Sequence, residues 1–273
     1  MTLPQADYTL LTPYLLPPDS PKKVNVGDGF IMDSAEKLIG LRASAYYSVR
    51  AQLTDAAIAR INASRFLLVA GANTLRDDWS LTPDCKQVTL ARIKVPIVLM
   101  GLGHYGVAEA TRGMRPEGVA QIAAILERFH FMSVRCDRSR EYLVKSAPQL
   151  ADKILMTSCP VAYPVDGIDR GFARKAEYEL MAVTITDRVN LQQQLPILIY
   201  SAQCFRSRRK VLALHQDYDN AVLHDFARQQ GYEIFASPHV EDALDLYKNV
   251  DLHVGNRVHG HLKALSLGAA SFL

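Results

Sequence analysis

At 273 residues, 49% of them hydrophobic and 22% charged, the chain has the composition of a soluble globular protein with room for one large or two modest domains. A formal charge of +3 admits an anionic substrate but gives no ground for a nucleic-acid partner. Its apolar runs fall far short of the ~20 residues of a membrane span, its four scattered cysteines (Cys85, Cys136, Cys159, Cys204) read as reduced thiols, and the start lacks signal-peptide character, so a cytoplasmic location is expected.

Residues 8–21 are apolar but broken by Pro13, Pro17, Pro18 and Pro21, which predicts an irregular stretch around one strand. Residues 25–30 read as a glycine-rich turn opening a helix through Ile31, Ala35, Leu38 and Ile39 that stops near Gly40. Continuous apolar strands follow at 66–70, ending in Gly71-Ala72-Asn73, and at 96–100, ending in Gly101-Leu102-Gly103-His104. A helix over 116–129 starts on Pro116, a strand over 131–135 exits on Arg135, a helix begins near Asp137, and 153–157 is a strand. The segment 159–176, with Pro160, Pro164, Gly167 and Gly171, reads as an interdomain connection.

Beyond it the pattern predicts strands at 181–186, 211–214, 232–236, 252–254 and 269–273, with helices at 190–203, 220–230 and 240–250 and a further helix after the fourth of these strands. Apolar strands separated by amphipathic helices indicate an α/β fold: two Rossmann-like domains with parallel sheets facing a cleft, residues 1–170 and 171–273. The chain stops on an apolar strand with no covering helix, from which a truncated or unusually short C-terminal domain is expected. The basic clusters Lys22-Lys23 and Arg206-Ser207-Arg208-Arg209-Lys210 lack interleaved aromatics and read as solvated faces.

The most informative stretch is residues 251–261, where a strand gives out at Gly255 and delivers Arg257 and His259 to the mouth of a helix. Open α/β sheets place ligands at such strand ends, and a helix N-terminus adds backbone donors and partial positive charge. A guanidinium binds carboxylate or phosphate bidentately, and an imidazole can donate a proton near neutral pH, so the corner suits a small dianion. Asn25, Gly27 and Asp28 sit where a turn can approach a substrate, with Asp28 equally fit to cap the helix. Asn73 and His104 each follow a strand end, although His104 also reads as an ordinary loop histidine and Arg135 as a partner of Asp137. His253 and His261 flank the corner, but neither spacing makes a metal set.

Taken in order, these junctions resemble the polysaccharide pyruvyl transferase family. Asn25-Val26-Gly27-Asp28 is similar to its N-x-G-D turn, residues 95–103 to its central strand ending in G-x-G, and Ser133-Val134-Arg135 with Asp137 and Ser139 to its S-x-R-D-x-x-S segment. Residues 251–260, followed by Ala264, Leu265 and Gly268, resemble its closing D-x-x-x-G-x-R-x-H-G stretch. The resemblance implies a GT-B-like fold and transfer of a pyruvyl group from phosphoenolpyruvate onto sugar hydroxyls of a polysaccharide, or its lipid-linked precursor, as a cyclic ketal. Arg135, Arg257 and His259 match positions lining the phosphoenolpyruvate site, and Gly260 closes the R-x-H-G turn. On this reading the arginines, one from each domain, clamp the donor, His259 is the general acid, and Asp28 accepts a hydroxyl proton. Asn25, Gly27, Asn73 and His104 complete the substrate-binding set.

No cofactor is implied beyond phosphoenolpyruvate as co-substrate; the metal requirement stays open, and a lipid-linked acceptor would bring peripheral contact with the inner face of the membrane. The chain departs from the family pattern at Ala70-Gly71-Ala72-Asn73, at Cys136 in the place of the acid, and at Ala270 in the place of a proline. Two alternatives remain: a GT-B-like sugar-nucleotide glycosyltransferase, with Arg257 on a diphosphate and Glu241 or Asp242 on the ribose, and a catalytically inert glycan-binding relative.

Overall fold

The computed structural model of the chain describes residues 8–83, 85–105, 113–163, 175–186, 190–216 and 220–273. They form two compact units, Met1–Ser20 with Ile31–Pro160, and Pro21–Phe30 with Val161–Leu273. The sequence places the boundary at 170/171, within a stretch (164–174) outside the described residues.

Apolar strands and amphipathic helices alternate through the first unit: β1 (Thr9–Thr12), α1 (Val26–Ile39, of which Ile31–Ile39 belong here), β2 (Ala45–Ser48), α2 (Asp55–Asn62), β3 (Leu67–Ala70), α3 (Gln87–Arg92), β4 (Ile97–Met100), α4 (Pro116–Arg128), β5 (Met132–Val134), α5 (Asp137–Ser146) and β6 (Ile154–Met156). Strands β2-β1-β3-β4 make a parallel sheet, and β5 pairs with β6. The bridge between Leu102 and Val134 links the end of β4 to β5. Every residue of β1 and β3 is buried, as expected of central parallel strands covered on both faces. Leu11, Leu67, Val69, Leu99, Ile122 and Leu126 fill the core together with Trp79, the single tryptophan of the chain.

The second unit follows with β7 (Tyr178–Thr184), α6 (Leu191–Cys204), β8 (Ser207–Ala213), α7 (Ala221–Gln229), β9 (Glu233–Phe235), α8 (Val240–Lys248), β10 (Leu252–Gly255), α9 (Val258–Ser266) and β11 (Ala270–Phe272). Its sheet has the order β11-β10-β7-β8-β9, parallel throughout. The chain runs outward from β7 to β8 and β9, then returns to the other side of β7 for β10 and β11. The order therefore reverses between β7 and β10, and open α/β sheets bind ligands beyond the strand ends at such a switch point. No helix among the described residues is long and apolar enough to cross a membrane.

One expectation needs correction. Residues 26–30 are the first turn of α1 rather than a turn preceding it, because Asn25 already caps the helix by accepting from the Gly27 N–H at 3.1 Å. The basic cluster at 206–210 is largely exposed, as a solvated face should be; it runs into β8, where Arg209 makes a two-pronged pair with Glu233 of β9 and Arg208 pairs with Glu177 and Glu179. Three elements carry no reading from the sequence: β2, α2 and α3. All are short, and β2 is only partly buried, so no long apolar run marks it.

Candidate functional site

The carboxyl ends of β7 and β10 build the site. Gly255 closes β10 at φ +141°, and a Cβ there would overlap the Thr184 carbonyl oxygen, so the crossing against β7 admits only glycine. The Asn256 N–H then donates to the Thr184 carbonyl at 3.3 Å. Arg257, the N-cap of α9, donates from Nε to the Ile185 carbonyl at 2.7 Å, which anchors its guanidinium at the switch point. His259 follows in the first turn of α9, half-buried.

The first turn of α1 lies against this turn. A Cβ on Gly27 would stand 3.2 Å from both Cβ and Nδ1 of His259, so the absence of a side chain lets the two helix ends abut. Val26 donates its N–H to the His215 carbonyl at 3.0 Å, fixing the start of α1 to the end of β8. Asp28, 6% exposed, sits in the same turn, where a carboxylate suits the positive end of the helix dipole while Asn25 does the capping. Asn25, Gly27 and Asp28, read from the sequence as part of the N-terminal domain, thus belong to the second unit beside His259.

Beneath α9 lies a bed of buried rings. Gly260 packs so closely that a Cβ there would come within 2.5 Å of Tyr247 Oη, 3.0 Å of His215 Cε1 and 3.1 Å of His253 Nε2. His215 Nε2 and Tyr247 Oη share a hydrogen bond of 2.9 Å, and Phe30 stands edge-on to both rings. Burial holds the His215 pKa well below its ordinary value, reinforced by the nearby Arg257, His253 and His259, and burial raises that of Tyr247. His253 is driven down to about 3, chiefly by burial and secondarily by His261. These rings are neutral at physiological pH, leaving Arg257 as the fixed positive charge of the corner.

Arg135, Asn73 and His104 lie in the first unit. Arg135, leaving β5, donates to the Asn73 side-chain oxygen and lies flat on Gly103, where a Cβ would overlap its Nε. Ala72, just before Asn73, is held at φ +78°, a left-handed conformation that costs an alanine about 1–2 kcal/mol. Strain of this kind collects at binding loops. His104 is 7% exposed, its ring 4.2 Å from that of Tyr142, and its backbone N–H donates to Ser139 Oγ at 2.9 Å. Glu241 and Asp242 lie in the first turn of α8, where Asp242 accepts from Ser237 Oγ at 2.5 Å.

Sequence reasoning missed Thr184, Ile185, His215, Tyr247 and Ser271. His215 stands two residues past β8, and Thr184 and Ile185 end and follow β7, so the strand-end logic that found Arg257 would have found these three; Tyr247 and Ser271 carry no such signal. Among the described residues, no group of three or more His, Cys, Asp or Glu is placed to hold a metal ion.

The family model of polysaccharide pyruvyl transferase matches residues 25–273. No curated protein matches the chain. Among solved structures, the chain is similar to accessory secretory proteins 1, 2 and 3 of Streptococcus pneumoniae, with 12% identity and a TM-score of 0.45 over 76% of this chain and 39% of that one. It is also similar to the S. aureus MnaA–UDP structure (11% identity, TM-score 0.45, 88% of this chain and 67% of that one). UDP-N-acetylglucosamine 2-epimerase from Rickettsia bellii gives 13% identity and a TM-score of 0.41 over 97% of this chain and 78% of that one. The chain spans 39% of the length of the first of these structures.

Proposed function

Because the chain belongs to the polysaccharide pyruvyl transferase family, we propose that it moves a pyruvyl group from phosphoenolpyruvate onto two hydroxyls of a sugar, in a polysaccharide or its lipid-linked precursor, as a cyclic ketal. The observation that supports this reading is the corner of the second unit where the first turns of α1 and α9 abut at the β7/β10 switch point, with Arg257 and His259 in it. Arg257 takes the donor's anionic groups, aided by the backbone donors of the helix ends. His259 gives a proton to the methylene carbon, and positive charge develops at the adjacent carbon beside the donor's own carboxylate. One sugar hydroxyl bonds to that carbon and yields its proton to Asp28. The second hydroxyl then displaces inorganic phosphate, and its proton leaves with the phosphate. Arg135 and Asn73 of the first unit are assigned to substrate binding as well. The reaction takes place in the cytoplasm, at the inner membrane face where the acceptor is lipid-linked.

Calorimetric titration with phosphoenolpyruvate tests the reading, with common sugar nucleotides run alongside. The expected result is micromolar binding of phosphoenolpyruvate that Arg257→Ala abolishes. His259→Gln should keep binding within a few-fold but lower acceptor-dependent phosphate release by about 10²–10⁴-fold, the usual worth of a general acid. Binding of a sugar nucleotide alone would replace this function with glycosyl transfer, and glycan binding without any donor would replace it with a lectin-like role.

A further inference from the structure

Four side chains under α9 form one hydrogen-bonded chain. Thr184 Oγ1 and His253 Nε2 lie 2.9 Å apart, His253 Nδ1 and Ser271 Oγ 2.8 Å, and Ser271 Oγ and His261 Nδ1 2.8 Å. They come from four elements, β7, β10, β11 and α9, and His253 at their centre is fully buried. Ser271 has one hydroxyl hydrogen and two imidazole neighbours. It can donate to only one ring, so at least one of the two rings must donate to it. Where the Ser271 hydrogen is used within the chain, the two histidines hold opposite states at Nδ1.

The direction of the chain follows from its buried end. Were His253 to donate from Nε2, the Thr184 hydroxyl hydrogen would need a second acceptor in a fully buried position, and an unmet buried donor is costly. With Thr184 donating instead, every donor is met: Thr184 to His253 Nε2, His253 Nδ1–H to Ser271, and Ser271 to His261 Nδ1. His261 then carries its hydrogen on Nε2. A proton added to His261 makes that ring donate from Nδ1 to Ser271, which frees the Ser271 hydrogen to turn to His253 Nδ1 and reverse each bond in turn. We propose that Ser271 is a positioning residue that locks His253 in its Nδ1–H form beneath the turn presenting Arg257 and His259, and that protonation of His261 flips it to the Nε2–H form.

The flip reaches that turn because His253 Nε2 faces Gly260, within 3.1 Å of where a Cβ would stand. Tyr247 of α8 stands beside His253, and His215 beyond β8 lies in electrostatic reach of His253, Arg257 and His259; Asp251 stands two residues before His253, just ahead of β10. Burial holds the pKa of half-buried His261 below its ordinary value. The functional consequence rests on reading that turn as the donor site; the tautomer coupling does not.

Two-bond proton–nitrogen correlation spectra of the protein labelled with nitrogen-15 at histidine test the coupling without any ligand. At neutral pH His253 should show the Nδ1–H pattern and His261 the Nε2–H pattern. On acidification His253 should convert to Nε2–H at the same midpoint at which His261 gains its proton. Ser271→Ala should uncouple the two and raise the His261 midpoint, and Ser271→Thr should restore both. His253 in the Nε2–H form at neutral pH, or unmoved as His261 titrates, would overturn the proposal. Phosphoenolpyruvate affinity should weaken with the same midpoint in the native protein and lose that step in His261→Gln. Coupled tautomers in a protein that binds no phosphoenolpyruvate would instead count against the proposed donor alone.

Discussion

Gly27 and Gly260 bracket His259, one from each helix end, and their substitution separates fit from stability. Alanine favours a helix over glycine by up to about 1 kcal/mol, so Gly27→Ala should leave stability within about 1 kcal/mol of the parent. Its new methyl group meets His259 at 3.2 Å, however, so phosphoenolpyruvate affinity in calorimetry should fall while the urea midpoint holds. Gly260→Ala behaves differently, because its methyl group meets Tyr247 Oη at 2.5 Å and the His215 ring at 3.0 Å, both locked in a buried pair. A cost of about 1–3 kcal/mol in urea denaturation is expected from such overpacking. An unchanged denaturation midpoint for Gly260→Ala would mean that the rings beneath α9 can yield.

At the scale of elements, Asp251 ties the start of β10 to the start of β7. Its carboxylate accepts from the N–H groups of Glu179 at 2.8 Å and Leu180 at 3.3 Å and pairs with Lys175 at 2.6 Å. Partial burial works to raise its pKa, but these donors outweigh it and hold the pKa below the ordinary 3.8. Asp251→Ala should cost about 1–3 kcal/mol at pH 7, by loss of hydrogen bonds to a charged acceptor. A carboxylate depressed in the folded state stabilises it above its unfolded pKa, and that contribution fades as pH falls through the folded one. The gap in denaturation free energy between parent and Asp251→Ala should therefore be full at neutral pH and narrow below pH 3.8. Asn220, whose Oδ1 caps α7 by accepting from the Leu223 N–H at 3.1 Å, should lose about 1 kcal/mol on change to alanine.

At the scale of the whole molecule, the second unit is assembled from two stretches of chain, and Phe30 is the larger anchor of the short one. Its ring is fully buried edge-on to His215 and Tyr247, so Phe30→Ala should destabilise the second unit by about 3–5 kcal/mol. Trp79 lies in the first core, so its fluorescence reports the first unit while circular dichroism reports both. Phe30→Ala should bring forward the dichroism transition and move the Trp79 transition less; equal shifts would show that the short stretch is no part of the second unit's own core. The sequence by itself determined the α/β class, the central strands and the Arg257–His259 corner, because continuous apolar runs, proline and glycine breaks and strand-to-helix junctions are local patterns written in neighbouring residues. It could not assign Pro21–Phe30 to the second unit, nor set Gly27 against His259, nor gather Thr184, His215, Tyr247 and Ser271 under α9. Only the tertiary structure decided those, since strand order and helix packing bring together residues up to 200 or more positions apart, and such a meeting leaves no periodicity in the chain.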